Sequence, residues 1–159
     1  MQAERLKEKL IQKAQDIGID KIGFASADPF IELKERLREQ QNMGYASGFE
    51  ESDIELRTHP EKIMPTVKTI IAIAIAYPAK LKNPPKSEPE KYRGIFCRAS
   101  WGMDYHDVLK QKLNLLADYV HQLVPNATIQ SMVDTGALSD RAVAQRAGIG
   151  WSGKNTSII

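Results

Sequence analysis

The residues best suited to chemistry lie in one segment, Asp134–Asn155, which reads DTGALSDRAVAQRAGIGWSGKN. Asp134 directly follows Thr128–Val133, a stretch that predicts an internal strand. Open α/β sheets bind ligands beyond the ends of their strands, so a carboxylate at this point could act as a proton donor. The structural alternative is that Asp134 caps a turn ahead of Gly136.

Gly148–Gly153 (GIGWSG) in the same segment fits the G-x-G-x-x-G pattern of dinucleotide-binding proteins. That pattern requires a strand before it and a helix after it, whereas here a short helix precedes it and a strand is expected to follow. We therefore reject a Rossmann site. The glycines predict a tight helix-to-strand loop whose exposed amides could bind a ligand, with Trp151 and Lys154 adding an aromatic face and a cation. The alternative is a helix stop with Trp151 in the core.

A second cluster of interest surrounds Cys97. Its neighbours are basic or aromatic: Lys91, Arg93, Arg98 and Trp101. Such a patch suits phosphate contact and base stacking. Cys97 could be a reactive thiol whose pKa is lowered by the flanking arginines. The alternative is an ordinary solvated edge with a buried, unreactive cysteine.

Metal binding is not indicated by the residues. The histidines, His59, His106 and His121, lack the spacing of zinc ligands. Cys97 is the single cysteine, so the chain cannot form an internal disulfide and cannot hold a four-cysteine iron–sulfur cluster.

Composition predicts one soluble globular domain. The chain has 159 residues, 42% of them hydrophobic and 26% charged, with a net charge of +2 that is too small to indicate nucleic-acid binding by itself. Its first residues, MQAERLKEKL, contain no hydrophobic signal core. The longest apolar run, Ile70–Tyr77, is far shorter than the ~20 residues that span a bilayer. We therefore expect a cytoplasmic protein without a membrane segment.

Helices and strands alternate in the first half of the chain. Apolar spacing predicts a helix that ends near Gly18, a strand at Lys21–Ala25 and a second helix capped by Asp28. Thr69–Tyr77 (TIIAIAIAY) is apolar on both faces, which predicts a central strand covered on both sides. The proline-rich, charged segment Pro78–Arg93 predicts a surface loop.

The second half continues the alternation. Asp104 can cap a long helix, Thr128–Val133 predicts a strand, and Ser139 or Asp140 can open a short helix. Thr156–Ile159 reads as a strand that has just begun, which suggests a truncated chain. The order predicts a single layered α/β or α+β domain with a central mixed sheet of about four or five strands flanked by helices.

Two motifs together resemble the epoxyqueuosine reductases. They are YRGIFCRASWGMDYHDVLKQKL and, after it, DTGALSDRAVAQRAGIGWSGKNTSII; ELRTHPEKIMP also resembles the family's early region, so the resemblance covers essentially the whole chain. Members of this family are cytoplasmic, cobalamin-dependent iron–sulfur enzymes that reduce epoxyqueuosine in tRNA to queuosine with electrons from an external donor. The resemblance implies that residues 1–159 are a truncated amino-terminal cobalamin-binding domain, similar to the nitroreductase-like corrinoid-binding fold.

The resemblance also implies roles for single residues. Asp134 matches the family's proton donor, and such an acid is plausible because opening an epoxide leaves an alkoxide-like oxygen. Positions that line the corrin are matched by Arg57, Cys97, Asp134, Ser157 and Ile158. The ligands of two [4Fe–4S] clusters would lie outside this chain. We expect this segment to supply corrinoid binding and the proton, to be inactive alone, and to belong to a monomeric full-length protein.

Two other functions fit the residues. The first is a cofactor-free RNA-binding module that uses the patch from Arg93 to Trp101. The second is a flavin-using relative of the nitroreductases. Purified protein with bound corrinoid would favour the reductase, bound flavin the nitroreductase relative, and neither cofactor the RNA-binding module.

Overall fold

The computed structural model describes residues 2–76, 80, 82–94, 96–134, 136–155 and 157–159. Within these ranges the chain forms helices, two strands and one short 3-10 turn at Arg98–Ser100. In chain order the elements are α1 (Gln2–Asp16), β1 (Lys21–Ser26), α2 (Ile31–Asn42), α3 (Ile54–Thr58), α4 (Pro60–Ile63), β2 (Thr69–Ala74), α5 (Tyr105–Leu123) and α6 (Asp140–Arg146).

The two strands form an antiparallel sheet that helices cover on both faces. The register runs from Lys21 opposite Ala74 to Ser26 opposite Thr69. On one face of β2, Ile71 and Ile73 pack against a core cluster from α1 and α5. On the other face, Ile70 and Ala72 pack against a cluster that includes residues of α6. The prediction that this strand is covered on both sides is therefore confirmed, but its predicted central place is not, because the described sheet has two strands.

The sheet is smaller than the sequence predicted. The expected number of strands was four or five, whereas the described residues form a two-stranded sheet in which β2 pairs with β1 alone. Thr128–Val133 is irregular rather than a strand, because a strand needs a partner for its backbone hydrogen bonds and none of the described strands lies beside it. Near Thr156–Ile159, Ser152 and Ile158 form one isolated antiparallel bridge. The mixed α/β character is confirmed, and the strand count is wrong.

The start of α2 also differs from the prediction. Asp28 does not cap this helix: the residue before it is Phe30, which makes no side-chain capping bond. The backbone carbonyl of Asp28 instead accepts a hydrogen bond from the guanidinium of Arg146. That guanidinium also lies 3.4 Å from the centroid of the Phe30 ring. Arg146 therefore anchors the end of α6 to the segment before α2.

The loop predicted at Pro78–Arg93 is exposed wherever it is described, at residue 80 and at 82–93. Pro78, Ala79 and Leu81 lie outside the described residues, as does Tyr77 of the predicted strand. No helix in the described part of the chain is both long and apolar enough to cross a membrane.

The end of α6 lies directly on β1 at Gly23. A Cβ atom at this position would overlap the carbonyl group of Ala147 and come within 3.0 Å of the Ala147 side chain. Only glycine allows two backbones to approach this closely. The contact fixes where α6 lies, and with it Asp140 at the start of that helix.

We predict that Gly23→Ala destabilises the protein by about 1–3 kcal/mol, the usual cost of overpacking a core. The reason is that the added methyl group must displace the backbone of α6. Denaturant unfolding followed by circular dichroism measures the change. Gly94→Ala is the matched control, because a Cβ at Gly94 meets nothing within 4 Å. Equal unfolding midpoints for the two variants would contradict the prediction.

Candidate functional site

Asp134 occupies a tight turn between the irregular segment before it and α6. Its φ of +56° lies in the left-handed region, which aspartate tolerates better than most residues. A Cβ at Gly136 would lie 2.6 Å from Sδ of Met132, so the turn folds closely on itself. The Asp134 side chain is 60% exposed. The expected strand before Asp134 is absent: residues 128–131 are exposed, and only Met132 and Val133 are half-buried.

The start of α5 is shaped by Asp104, which caps it as the sequence predicted. The Asp104 carboxylate accepts a hydrogen bond from the backbone N–H of His106 at 2.8 Å, and His106 Nδ1 lies 2.8 Å from the same oxygen. These two interactions, the backbone one first, hold the pKa of Asp104 below its ordinary value. The rings of Tyr105 and His106 are stacked with their centroids 4.0 Å apart. The cap therefore fixes the orientation of both rings.

Tyr105 and His106 meet the carboxylate of Asp134. The Tyr105 hydroxyl donates a hydrogen bond to Asp134 Oδ2 at 2.6 Å. His106 Nε2 lies 3.7 Å from the same oxygen. Sequence reasoning did not assign a role to either residue. The signal was present in the D-Y-H of the first family motif, which places both side chains at a helix start.

Asp140, the first residue of α6, lies close to this turn, and the pKa of its carboxyl group is raised. Although the residue as a whole is exposed, surrounding protein removes solvent from its carboxyl group, and this burial raises the pKa of Asp140. Repulsion from the Asp134 carboxylate raises that pKa further. Asp140 therefore keeps its proton to a higher pH than an ordinary aspartate.

Arg57 lies in α3, which is well anchored. Asp53 caps this helix by accepting hydrogen bonds from the backbone N–H groups of Glu55 and Leu56. Thr58 is fully buried, and its carbonyl accepts a hydrogen bond from the Phe30 N–H at 2.8 Å. The position of Arg57 is therefore fixed relative to the start of α2.

Arg57 lines an open groove of about 860 Å³ between α2, α3, α6 and the last residues of the chain. Arginine is the commonest charged residue of its walls, which makes the groove cationic. Asp134 and Cys97 are not among its described lining residues. Besides Arg57, the lining includes Phe30, Arg36, Glu50, Ser139, Arg141, Arg146, Ser152 and Gly153.

The predicted corrin-lining residues Ser157 and Ile158 lie directly behind one wall of this groove. Gly153 N–H donates to the Ser157 carbonyl at 2.9 Å, and Ser152 pairs with Ile158 in the isolated bridge. The structure thus brings Arg57, Ser157 and Ile158 to one region. Cys97 belongs to a separate segment.

The glycine-rich loop already uses several of the amides that we expected to be free. Trp151 N–H donates to the Ile159 carbonyl, the Trp151 carbonyl accepts from the Ile159 N–H, and Gly153 N–H donates to the Ser157 carbonyl. The N–H groups of Gly148 and Ile149 donate to carbonyls of α6. The alternative of a buried Trp151 is also wrong, because this side chain is 65% exposed. The loop is a hairpin with an aromatic side chain on its surface.

Cys97 is exposed rather than buried. Its Sγ lies 3.7 Å from Oγ of Ser100. The hydrogen bond with the Ser100 hydroxyl is the largest cause that lowers the pKa of Cys97. The direction matches the sequence prediction, but the cause is a neighbouring hydroxyl and backbone N–H groups rather than the flanking arginines.

Across the described ranges, no three His, Cys, Asp or Glu side chains come together in a way that could hold a metal ion. The titratable groups that do meet are Asp104, Tyr105, His106, Asp134 and Asp140. A cluster of this kind near an open cationic groove is typical of an enzyme site that binds a ligand with oxygen acceptors.

Comparison with known proteins identifies the class. The family model described as Epoxyqueuosine reductase QueG, DUF1730, matches residues 57–135, a range that begins at Arg57 and includes Asp134. An epoxyqueuosine reductase of Bacillus cereus is 61% identical over 159 residues, covering 100% of this chain and 42% of that protein. One from Bacillus subtilis is 56% identical over 158 residues, covering 99% of this chain and 41% of that protein.

Solved structures agree with this assignment. A crystal structure of epoxyqueuosine reductase with a tRNA-Tyr epoxyqueuosine-modified stem loop matches 98% of this chain and 41% of that chain, with 57% identity and a TM-score of 0.89. A structure of the Bacillus subtilis enzyme with its Asp134 catalytic loop swung out of the active site matches with 55% identity and a TM-score of 0.88.

The chain belongs to the epoxyqueuosine reductase family of oxidoreductases. It spans about 42% of the length of the curated relatives that it matches.

We predict that Ser100→Ala raises the pKa of Cys97, because the hydroxyl that stabilises its thiolate is removed. Cys97 is the single cysteine, so the pH profile of iodoacetamide labelling reports this thiol alone. Labelling near neutral pH should slow in Ser100→Ala. Arg98→Gln is the control, and its profile should match that of the unaltered chain. A shifted profile in Arg98→Gln with no shift in Ser100→Ala would restore the arginine explanation.

Proposed function

We propose that this chain forms the proton-donating and corrinoid-binding part of an enzyme that reduces epoxyqueuosine in tRNA to queuosine. The observation that carries the proposal is the exposed Asp134 carboxylate held by Tyr105 at 2.6 Å. It occurs in a chain 57% identical to a reductase whose structure contains an epoxyqueuosine-modified tRNA stem loop. In the Bacillus subtilis relative the corresponding loop is called catalytic.

The proposed chemistry assigns Asp134 the role of general acid. Reduction of an epoxide to an alkene takes up an electron pair and protons, and the oxygen leaves as water. When the first C–O bond breaks, negative charge develops on the oxygen. A carboxylic acid within hydrogen-bond reach neutralises that charge and lowers the barrier, typically by a factor of ~10²–10⁴ in rate. An exposed side chain suits a macromolecular substrate, because the modified nucleotide must reach it from solvent.

Cobalamin is the cofactor that we propose for the groove. The groove has a volume of about 860 Å³ and is open to solvent, so it could hold part of a corrinoid. The forked donors of Arg57 suit the amide and phosphate oxygens on the periphery of a corrinoid. The backbone of Ser157 and Ile158 would support the wall opposite. When bound, a corrinoid supplies low-potential electrons to the substrate. Cys97 makes no described contact with the groove, so its role as a corrin neighbour has the least support.

The rest of the proposal concerns the longer protein. Because the chain spans 42% of its Bacillus cereus relative, the ligands of two [4Fe–4S] clusters and the docking site of an external electron donor would lie beyond it. A nitroreductase-like sheet would require additional strands next to β2. We place the full-length enzyme in the cytoplasm, as a monomer acting on tRNA. On its own, this segment would fold without turning over substrate.

We predict that Asp134→Asn in the full-length reductase lowers the rate of queuosine formation by at least ~10²-fold, since the acid is lost. Asparagine is chosen because it tolerates the left-handed backbone at this position. Absorbance of bound corrinoid should be unchanged. Asp107→Asn, also exposed near the start of α5, is the matched control and should retain activity. Normal turnover by Asp134→Asn would disprove the assignment.

A second prediction tests the groove in the chain itself. Cobalamin added to residues 1–159 should bind weakly, with a change in its visible spectrum, and Arg57→Gln should weaken that binding by about tenfold, as for loss of one charged hydrogen bond. Arg5→Gln, on the exposed side of α1, should bind like the unaltered chain. Parallel titrations with flavin mononucleotide and with an RNA stem loop test the alternatives. Tight flavin binding would favour the nitroreductase relative. RNA binding without any cobalamin binding would favour the RNA-binding module.

A further inference from the structure

We propose that Tyr105 and His106 are positioning residues, which hold one oxygen of the Asp134 carboxyl group so that its other oxygen, Oδ1, faces the substrate. This inference rests on the proposed role of Asp134 as the proton donor. It adds that the two carboxyl oxygens have different tasks: Oδ2 is held by Tyr105 and His106, and Oδ1 contacts the substrate.

The first support is that both contacts engage the same atom. Tyr105 donates its hydroxyl hydrogen to Oδ2 at 2.6 Å, and His106 Nε2 lies 3.7 Å from that oxygen as well. A side chain that is 60% exposed would otherwise sample several rotamers. The hydrogen bond and the nearby imidazole restrict the carboxyl group through Oδ2. We infer that Oδ1 is the oxygen left for the substrate.

The second support is the rigidity of the element that makes these contacts. Tyr105 and His106 are the first residues of α5, a 19-residue helix. Leu116 anchors this helix in the core with 3% of its surface exposed. Asp104 fixes the imidazole of His106 from the opposite side at 2.8 Å, and the tyrosine ring stacks on that imidazole. Positioning groups work best when packing and hydrogen bonds lock their own rotamers, as they do here.

The arrangement also suits the product of the proton transfer. When Oδ1 gives up its proton, Asp134 becomes a carboxylate whose charge is shared by both oxygens. The Tyr105 hydroxyl already donates to Oδ2, and a hydrogen bond to a charged acceptor is stronger than one to a neutral acceptor. Tyr105 would therefore stabilise the side chain most after it has donated its proton.

The test is Tyr105→Phe, with Tyr119→Phe as the matched control. Tyr119 lies on the same helix and packs beside the α1–α5 core, so the control removes the same hydroxyl group away from Asp134. In the full-length reductase, Tyr105→Phe should lower kcat by about ten- to a hundredfold, the effect of losing a hydrogen bond to a charged group. KM for the modified tRNA should not change. In an Asp134→Asn background, the same substitution should have no further effect on kcat.

A second measurement does not depend on catalysis. In residues 1–159, amide hydrogen exchange at 132–134 and 136 should be faster in Tyr105→Phe and unchanged in Tyr119→Phe. If the unaltered full-length protein shows no turnover, the proposed function fails, while this exchange measurement still decides whether Tyr105 restrains the turn. Unchanged exchange in Tyr105→Phe would overturn the inference. So would faster exchange accompanied by an unaltered kcat, because the restraint would then have no role in positioning the acid.

Discussion

The backbone contact between α6 and β1 is the constraint on which most of the site depends. Because Gly23 has no side chain, the Ala147 carbonyl can lie against the strand. Immediately after this contact the chain turns at Gly148, whose φ is +73°, and buries Ile149 to 8% exposure. Lys21 adds a hydrogen bond to the Ile149 carbonyl at 3.3 Å. The hairpin that forms one wall of the groove therefore starts from a fixed point on the sheet.

The candidate acid differs from this rigid frame in being exposed and in having a backbone conformation that few side chains adopt. Such a conformation costs on the order of 1 kcal/mol or more and persists only when neighbouring interactions hold it. Here one such neighbour is the start of α5, through the Tyr105 hydroxyl. A turn held in this way can be ordered while it remains accessible to a large substrate. The hydrogen bond from Tyr105 must break if the Asp134 side chain moves away from α5.

Sequence reasoning succeeded where a feature depends on residues close together in the chain. It placed α1, β1, β2, the Asp104 cap and the short helix α6 correctly, because helical periodicity and capping are local. It failed for Thr128–Val133, since a strand exists only if another strand pairs with it. It also did not foresee that the return of 157–159 onto the glycine loop occupies the amides of Trp151 and Gly153.

The contact between Tyr105 and Asp134 could not be predicted from the sequence either, because it joins residues far apart in the chain. Asp134 is 29 residues away from Tyr105 along the chain, and no periodic pattern links the two. Each residue belongs to a different family motif: Tyr105 lies in D-Y-H of the first, and Asp134 begins the second. Only the fold shows that the tyrosine of the first motif donates a hydrogen bond to the aspartate of the second.

The start of α6 joins the two halves of the site. Ser139, the residue before this helix, lines the cationic groove. The next residue, Asp140, is close enough to Asp134 that burial and then repulsion from the Asp134 carboxylate raise its pKa. Gly23 fixes how closely the end of α6 approaches the sheet. One short helix therefore sets the position of both the groove wall and the residue beside Asp134, although the two surfaces share no lining residue in the described part of the chain.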